Sequence, residues 1–295
     1  MLSIISNRKI FLTISAALVL LSAVSLAVWG LKFGIDFTGG SLWEVEFPNG
    51  RPASAAISAA LVDYKMDTAL IQPLGEKGVI LRSRDINENT HQAALIELKT
   101  LGAVEEKRFE SIGPTLGKEL QRKSVKAIVV VLALIIVYIA WAFRKVSRPV
   151  SSWKYGFIAI IALVHDVTIP TGVFAVLGHF RGVEVDALFV TAVLTILGFS
   201  VHDTIVVFDR IRENLHRRSG ENFSATVNAS VNETMSRSIS TSLTVLLVLA
   251  AIYFLGGGTT QNFALALIIG IFFGTYSSIF IAGPLLSYWA GKVRK

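Results

Sequence analysis

Six long apolar stretches and one mixed-charge insert set the pattern of this chain. Residues 10–30 are uncharged and apolar behind Arg8 and Lys9. Comparable stretches occupy residues 125–143, 155–177, 187–208, 237–256 and 263–290. A hydrocarbon core of about 30 Å needs about 20 helical residues, so each stretch predicts one membrane-spanning helix. The first is longer than the roughly 7–15 apolar residues of a signal peptide. It therefore reads as an uncleaved first span, although Ser25-Leu26-Ala27 offers a weak cleavage site. The fifth and sixth stretches lie within Ser238–Gly291, which carries no charge and is too long for one span. Gly256-Gly257-Gly258-Thr259-Thr260-Gln261-Asn262 marks the break, with a loop expected over residues 257–262.

The insert, residues 31–124, is built differently. Trp43, Val45 and Phe47 alternate with Glu44 and Glu46, the period of a half-buried strand. The alanine-rich run Ala53–Tyr64 follows Pro52 and predicts a helix. Ala69–Gln72 and Val79–Arg82 read as strands separated by Gly75 and Gly78. Asn89–Leu101 reads as a helix stopped at Gly102, and Ala103–Phe109 alternates again. The order β-α-β-β-α-β predicts a ferredoxin-like α+β domain large enough for one small core. The expected fold class is thus an α-helical integral membrane protein with six transmembrane helices plus a small extracytoplasmic α+β domain.

Composition agrees with a membrane protein: 53% of residues are hydrophobic and the mean hydropathy is +0.60. There is no cysteine, which excludes disulfides and thiol-ligated metals. The net charge of +7 would suit nucleic acid or a membrane, and its location decides. Six spans put both ends of the chain on one side. That side holds Arg8 and Lys9, the basic residues of the 144–154 loop, the 209–236 segment with Arg210, Arg212, Arg217 and Arg218, and the tail 291–295. The short loop 178–186 on the other side holds Arg181 as its one basic residue. The positive-inside rule makes residues 1–9 and the tail cytoplasmic and the 31–124 domain external. The basic balance is topology, and no module is left to bind nucleic acid.

The ionisable residues inside the spans are the candidate chemistry. Asp203 lies six residues before Asp209, roughly 9 Å deeper along a helix. A carboxylate there costs about 2.5–3.5 kcal/mol and needs a partner. Asp203 and Arg237 are equidistant from Gly220, so a helical hairpin turning there would place them face to face as an ion pair. Arg237, Thr241 and Thr244 share a helical face, read as a hydrated stripe or as close packing. His165 and Asp166 lie about 12 residues beyond Lys154, roughly 18 Å into the third span. Pro170 and Gly172 follow and are expected to expose backbone carbonyls. Two His-Asp pairs, His165-Asp166 and His202-Asp203, suggest groups that take up and release protons. The alternative is a fixed polar network holding helices together. A protease dyad of Asp166 and Asp203 is disfavoured by their different depths. The two histidines lack metal-ligand spacing.

Phe33-Gly34-Ile35-Asp36-Phe37-Thr38-Gly39-Gly40 follows the first span and lacks the Gly-Lys-Ser/Thr ending of a phosphate loop. It reads as a flexible turn into the first outer strand. This segment, together with Gly198-Phe199-Ser200-Val201-His202-Asp203-Thr204 and the Ile205–Asn214 stretch beyond it, resembles the signatures of the SecF branch of the SecD/SecF family, within the RND transporter superfamily. The resemblance covers nearly the whole chain and includes the six-span layout. It makes Gly34, Asp36, Gly39 and Gly40 the signature turn. It implies that the functional intramembrane aspartate is Asp203 and the essential arginine Arg237. His165-Asp166 resembles a motif of the family's third span, and His202 stands where many members carry asparagine. It further implies a subunit of the bacterial cytoplasmic membrane that works with SecD beside the SecYEG channel. Such a subunit uses the proton gradient, without a cofactor, to assist translocation of precursor polypeptides. A small-molecule or lipid exporter on the same frame, and a structural scaffold for the translocon, are the rival readings. An enzyme is the weakest.

Overall fold

The structure is a computed structural model that describes residues 2–64, 70–143, 152–217 and 222–291. Three expected features lie outside the described residues: most of the basic 144–154 loop, the turn around Gly220, and the last four residues. The chain divides into two compact units, Phe33–Val125 and the remainder, Met1–Lys32 with Lys126–Lys295.

The smaller unit holds α2 (Ile35–Thr38), β1 (Gly40–Glu46), α3 (Ser54–Leu61), β2 (Leu70–Leu74), β3 (Gly78–Ser83), α4 (Glu88–Thr100) and β4 (Glu105–Ile112). The strands form one antiparallel sheet in the order β2-β3-β1-β4. That is the ferredoxin-like order, with the first and third strands at the centre. Alternation along β1 does what period two dictates. Trp43 and Val45 are fully buried, and the core continues through Phe47, Ile57, Leu61, Val79, Leu81, Ala94 and Leu98. Glu44 and Glu46 take the opposite face and stay partly exposed. Register places Trp43 between Leu81 and Phe109. Pro73 is tolerated because β2 is an edge strand. The other edge, β4, is guarded by charge, with Lys107 bonded to Glu105 at 2.8 Å and paired with Glu46 at 3.2 Å. That hydrogen bond, with the attraction of the Lys107 ammonium, holds the Glu105 carboxyl below its usual range.

The signature segment is not the flexible turn its glycines suggested. Ile35–Thr38 is a helical turn with Ile35 and Phe37 buried. Asp36 lies in its first turn, where a negative charge suits the helix dipole. Gly34 caps it, its carbonyl accepting from the Thr38 amide at 3.1 Å and the Thr38 hydroxyl at 3.0 Å. Gly39 and Gly40 follow at φ 76° and 124°. A Cβ on Gly39 would lie 2.7 Å from the Pro114 Cα, and one on Gly40 would lie 2.7 Å from the Ser83 carbonyl oxygen. Backbone packed that closely leaves no room for a side chain, so the pair fixes the entry into β1.

Among the described residues, six helices are long and apolar enough to cross a membrane. They comprise α1 (Arg8–Trp29), α5 (Pro114–Ala142), α6 (Ser152–Arg181), α7 (Ala187–Arg217) and α8 (Phe223–Leu255). The sixth is α9 (Gly258–Ser277), which continues through a π-helical turn, Ser278–Ala282, into α10 (Gly283–Gly291). Most of the loop expected over 257–262 is therefore helical, starting at Gly258 after an extended Gly257. α7 and α8 run well past their apolar parts, so residues 209–217 and 223–236 continue two of the spans. Asn222 caps α8 by accepting from the Ser224 amide at 2.9 Å. Residues 2–5 are tied to α8, the Leu2 amide donating to Asn232 and the Ile5 amide to Asn228.

Helices α6, α7 and α9 form the packed centre, with half or more of each apolar window buried. α1 and α8 lie against them, while α5 keeps nearly all of its apolar surface exposed. Small residues set the close approaches, as in membrane bundles generally. A Cβ on Gly172 would lie 2.5 Å from the Ser22 Cα, so α1 crosses α6 at that glycine. α6 runs unbroken through Pro170, which has no N–H to give the Asp166 carbonyl one turn back. Next to it, the Thr171 hydroxyl donates to the Val167 carbonyl at 2.6 Å.

Candidate functional site

Asp166 on α6 and Asp203 on α7 are buried, with 0% and 8% of their surface exposed. The helices bring hydroxyl groups to both. Asp166 accepts from Ser200 of α7 and, at 2.7 Å, from Ser277 of α9. The neighbouring His165 Nδ1 is 2.8 Å from its other oxygen. Asp203 accepts from Ser238 of α8 at 2.6 Å and from Ser278 at the first position of the π turn. Ser242, one turn beyond Ser238, donates to the Ser238 carbonyl at 2.8 Å and also bonds Thr275. Among the described residues, the hydrogen bonds that reach the two carboxylates from other helices all come from hydroxyls, which are strong donors to an ionised group. Buried charges ordinarily have an ionic partner. Among the described residues, His165 is the one titratable side chain bonded to either carboxylate.

Arg237 is not the partner of Asp203 in this structure. Successive helical residues point about 100° apart. Since Ser238 faces Asp203, its neighbour Arg237 is turned away, and it is exposed. It lines a cleft of about 460 Å³ with Asp209, Glu213 and Glu233, between the polar C-terminal part of α7 and the polar N-terminal part of α8. Arg210 bridges Glu213 and Glu233 there, and Asn214 joins Glu233 to Ser230. Thr241 and Thr244 share the exposure of Arg237, so this stripe does not pack within the chain. Equal distance from the hairpin turn placed Arg237 near the right depth but could not fix the rotation of α8.

His165 is buried beside the rings of Phe273 and Tyr276, and its Nε2 has no hydrogen-bond partner among the described residues. The Tyr276 hydroxyl in turn donates to the Phe11 carbonyl of α1 at 3.2 Å. His202 is exposed and takes no part in the network, because it sits on the α7 face opposite the packed centre. Sequence reading missed Ser200, Ser238, Ser277 and Ser278. Their signal was serines within apolar helices, which equally describes ordinary helix packing.

With this geometry in hand, comparison with known proteins is decisive. Residues 92–292 match the family model described as protein export membrane protein SecD/SecF, C-terminal. Residues 24–47 match the SecD/SecF GG motif, which contains Gly39 and Gly40. The protein translocase subunit SecF of Thermobaculum terrenum is 45% identical over 99% of this chain and 95% of its own length. The chain belongs to the SecF family. Its counterpart from Anaerolinea thermophila is 41% identical over 98% of this chain and 94% of that protein. The crystal structure of SecDF from Thermus thermophilus, a translocon-associated membrane protein, superposes with a TM-score of 0.80 at 31% identity. That match covers 98% of this chain and 39% of the SecDF chain. Membership of this family makes the protein a multi-pass membrane component of Sec protein export, in an accessory transport role. The residues called the signature turn on sequence grounds fall within the matched motif, and both aspartates fall within the C-terminal match.

Proposed function

We propose that this chain is the SecF part of a proton-driven SecD–SecF unit, which assists movement of precursor polypeptides leaving the SecYEG channel. The observation that carries the proton step is the burial of Asp166 and Asp203 among hydroxyl groups from three other stretches of the bundle, α7, α8 and the sixth span. A buried carboxylate gains from each donor, so proton uptake changes its bonds to its neighbours together, α7 and α9 at Asp166 and α8 and the π turn at Asp203. The gradient supplies about 2.3 kcal/mol per charge per 100 mV, enough to bias a two-state helix arrangement by a few kcal/mol. No covalent catalysis and no resident cofactor are required.

Two features support assembly with SecD. This chain corresponds to 39% of the SecDF chain of Thermus thermophilus, which carries both names in one polypeptide. The stripe Arg237-Thr241-Thr244 is exposed on an apolar helix, where a guanidinium is expensive unless protein or water meets it. In this reading Arg237 serves the unit at that face, or comes to Asp203 after a rotation of α8. His202, also exposed, would act from the same complex. The protein is placed in the bacterial cytoplasmic membrane with residues 1–9 and the tail inside, on the distribution of its basic residues.

The test is precursor export in membrane vesicles carrying Asp203→Asn, with the proton gradient imposed or collapsed and assembly with SecD assayed in parallel. Normal assembly with loss of the gradient-dependent part of export is the expected result. Full gradient dependence in the variant would refute the proton role and leave the aspartates as packing and assembly groups.

A further inference from the structure

Ser277 and Ser278 are consecutive, yet they bond different carboxylates on different helices. The Ser277 hydroxyl reaches Asp166 at 2.7 Å, and the Ser278 hydroxyl reaches Asp203. Each also has a backbone carbonyl within reach, one turn back in α9. Ser277 lies 3.0 Å from the Gly274 carbonyl and Ser278 lies 2.9 Å from the Thr275 carbonyl. A serine hydroxyl has a single proton to donate. It therefore cannot serve the carboxylate and the carbonyl fully at once.

This competition ties the hydroxyl to the charge of its aspartate. An ionised carboxylate takes the proton, since charge-assisted bonds are about twice as strong as neutral ones. When a proton binds the carboxylate oxygen, the acid O–H becomes a donor toward the serine oxygen. The serine proton then turns to the carbonyl. No covalent bond other than the new O–H is formed, and the incoming proton balances the step.

The two carbonyls are adjacent and lie where the helix changes character. The Gly274 carbonyl already receives the Ser278 amide, the last bond of α9 before the π turn Ser278–Ala282. A hydroxyl turned onto either carbonyl adds a back-bond of the kind that bends helices, at a junction where short π segments mark local departures from regular helix. We infer that Ser277 and Ser278 are positioning residues that couple the protonation of Asp166 to that of Asp203 through this one turn of the sixth span. The inference rests on the proton-uptake reading above and adds to it a link between the two sites. The groups facing the carboxylates are His165 from α6, Ser200 from α7, Ser238 from α8 and the two serines themselves.

The experiment is infrared titration of the carboxylic C=O bands in the full-length protein in lipid, the bands being assigned with Asp166→Asn and Asp203→Asn. In Ser278→Ala the Asp203 midpoint is expected to move by about one pH unit, the size expected for one lost hydrogen bond to a charged group. The Asp166 midpoint should move with it. Ser277→Ala should give the converse, and Ser278→Thr, which keeps the hydroxyl, should return both midpoints toward wild type. Asp166→Asn should also shift the Asp203 midpoint, and by less in a Ser277→Cys background, which separates the serine link from the direct field of the carboxylate and keeps the test available if an alanine variant does not fold. Midpoints that stay at wild-type values, or that move only for the aspartate bonded to the altered serine, would overturn the coupling. Coupled midpoints together with undiminished gradient dependence in Asp203→Asn would instead leave the link standing and remove the proton-driven export reading.

Discussion

A single residue can carry a fold constraint that its type alone does not reveal. Gly39, Gly40 and Gly75 all have positive φ, but only the first two meet backbone atoms where a side chain would begin. Gly39→Ala and Gly40→Ala should each cost about 1–3 kcal/mol from backbone strain, with the clash added. Gly75→Ala has open space and should cost less. Thermal unfolding of the three purified variants checks this order, and equal losses would contradict it. The aspartates teach the same lesson for polar groups. Their depth in an apolar run was legible at once, because cost and position along a helix follow from the sequence. Their partners were not, since serines inside an apolar helix look the same whether they meet a carboxylate or a backbone carbonyl.

At the scale of elements, periodicity foretold most of the architecture. The β1 alternation, the two helices and the order of the strands all follow from local pattern and turn chemistry, whereas the edge position of β2, which accommodates Pro73, is seen only in the sheet. Where two helices touch is a different matter. α1 and α6 cross at Gly172 against Ser22, and that contact tolerates no Cβ without movement. Gly172→Val should separate them and destabilise the purified protein by about 1–3 kcal/mol, as overpacking does. Thermal inactivation in detergent is the measurement, and an unchanged midpoint would show that the helices part without cost. The loop expected over 257–262 is mostly helix, because glycine at a helix start caps it without ending it. Gly257 does end the extended link, but Gly258 and the threonines beyond begin α9.

For the whole molecule, the distribution of charge and the number of spans lead to an orientation that can be measured directly. The chain has no cysteine, so single cysteines report without background. Glu76→Cys, in the α+β unit, should react with a membrane-impermeant thiol reagent in intact cells. Arg217→Cys, at the end of α7, should react only after the membrane is opened. The opposite pattern would invert the proposed topology. Sequence by itself determined the six apolar helices, the βαββαβ order, the buried face of its sheet and the depth of both aspartates. These depend on residue type and spacing along one chain. Tertiary structure alone decided which way each helix is turned. That rotation gave Asp203 the hydroxyls of Ser238 and Ser278 in place of Arg237, and it left His202 outside while His165 went in. Contacts between helices depend on how several stripes settle against one another, and no single stripe carries that information.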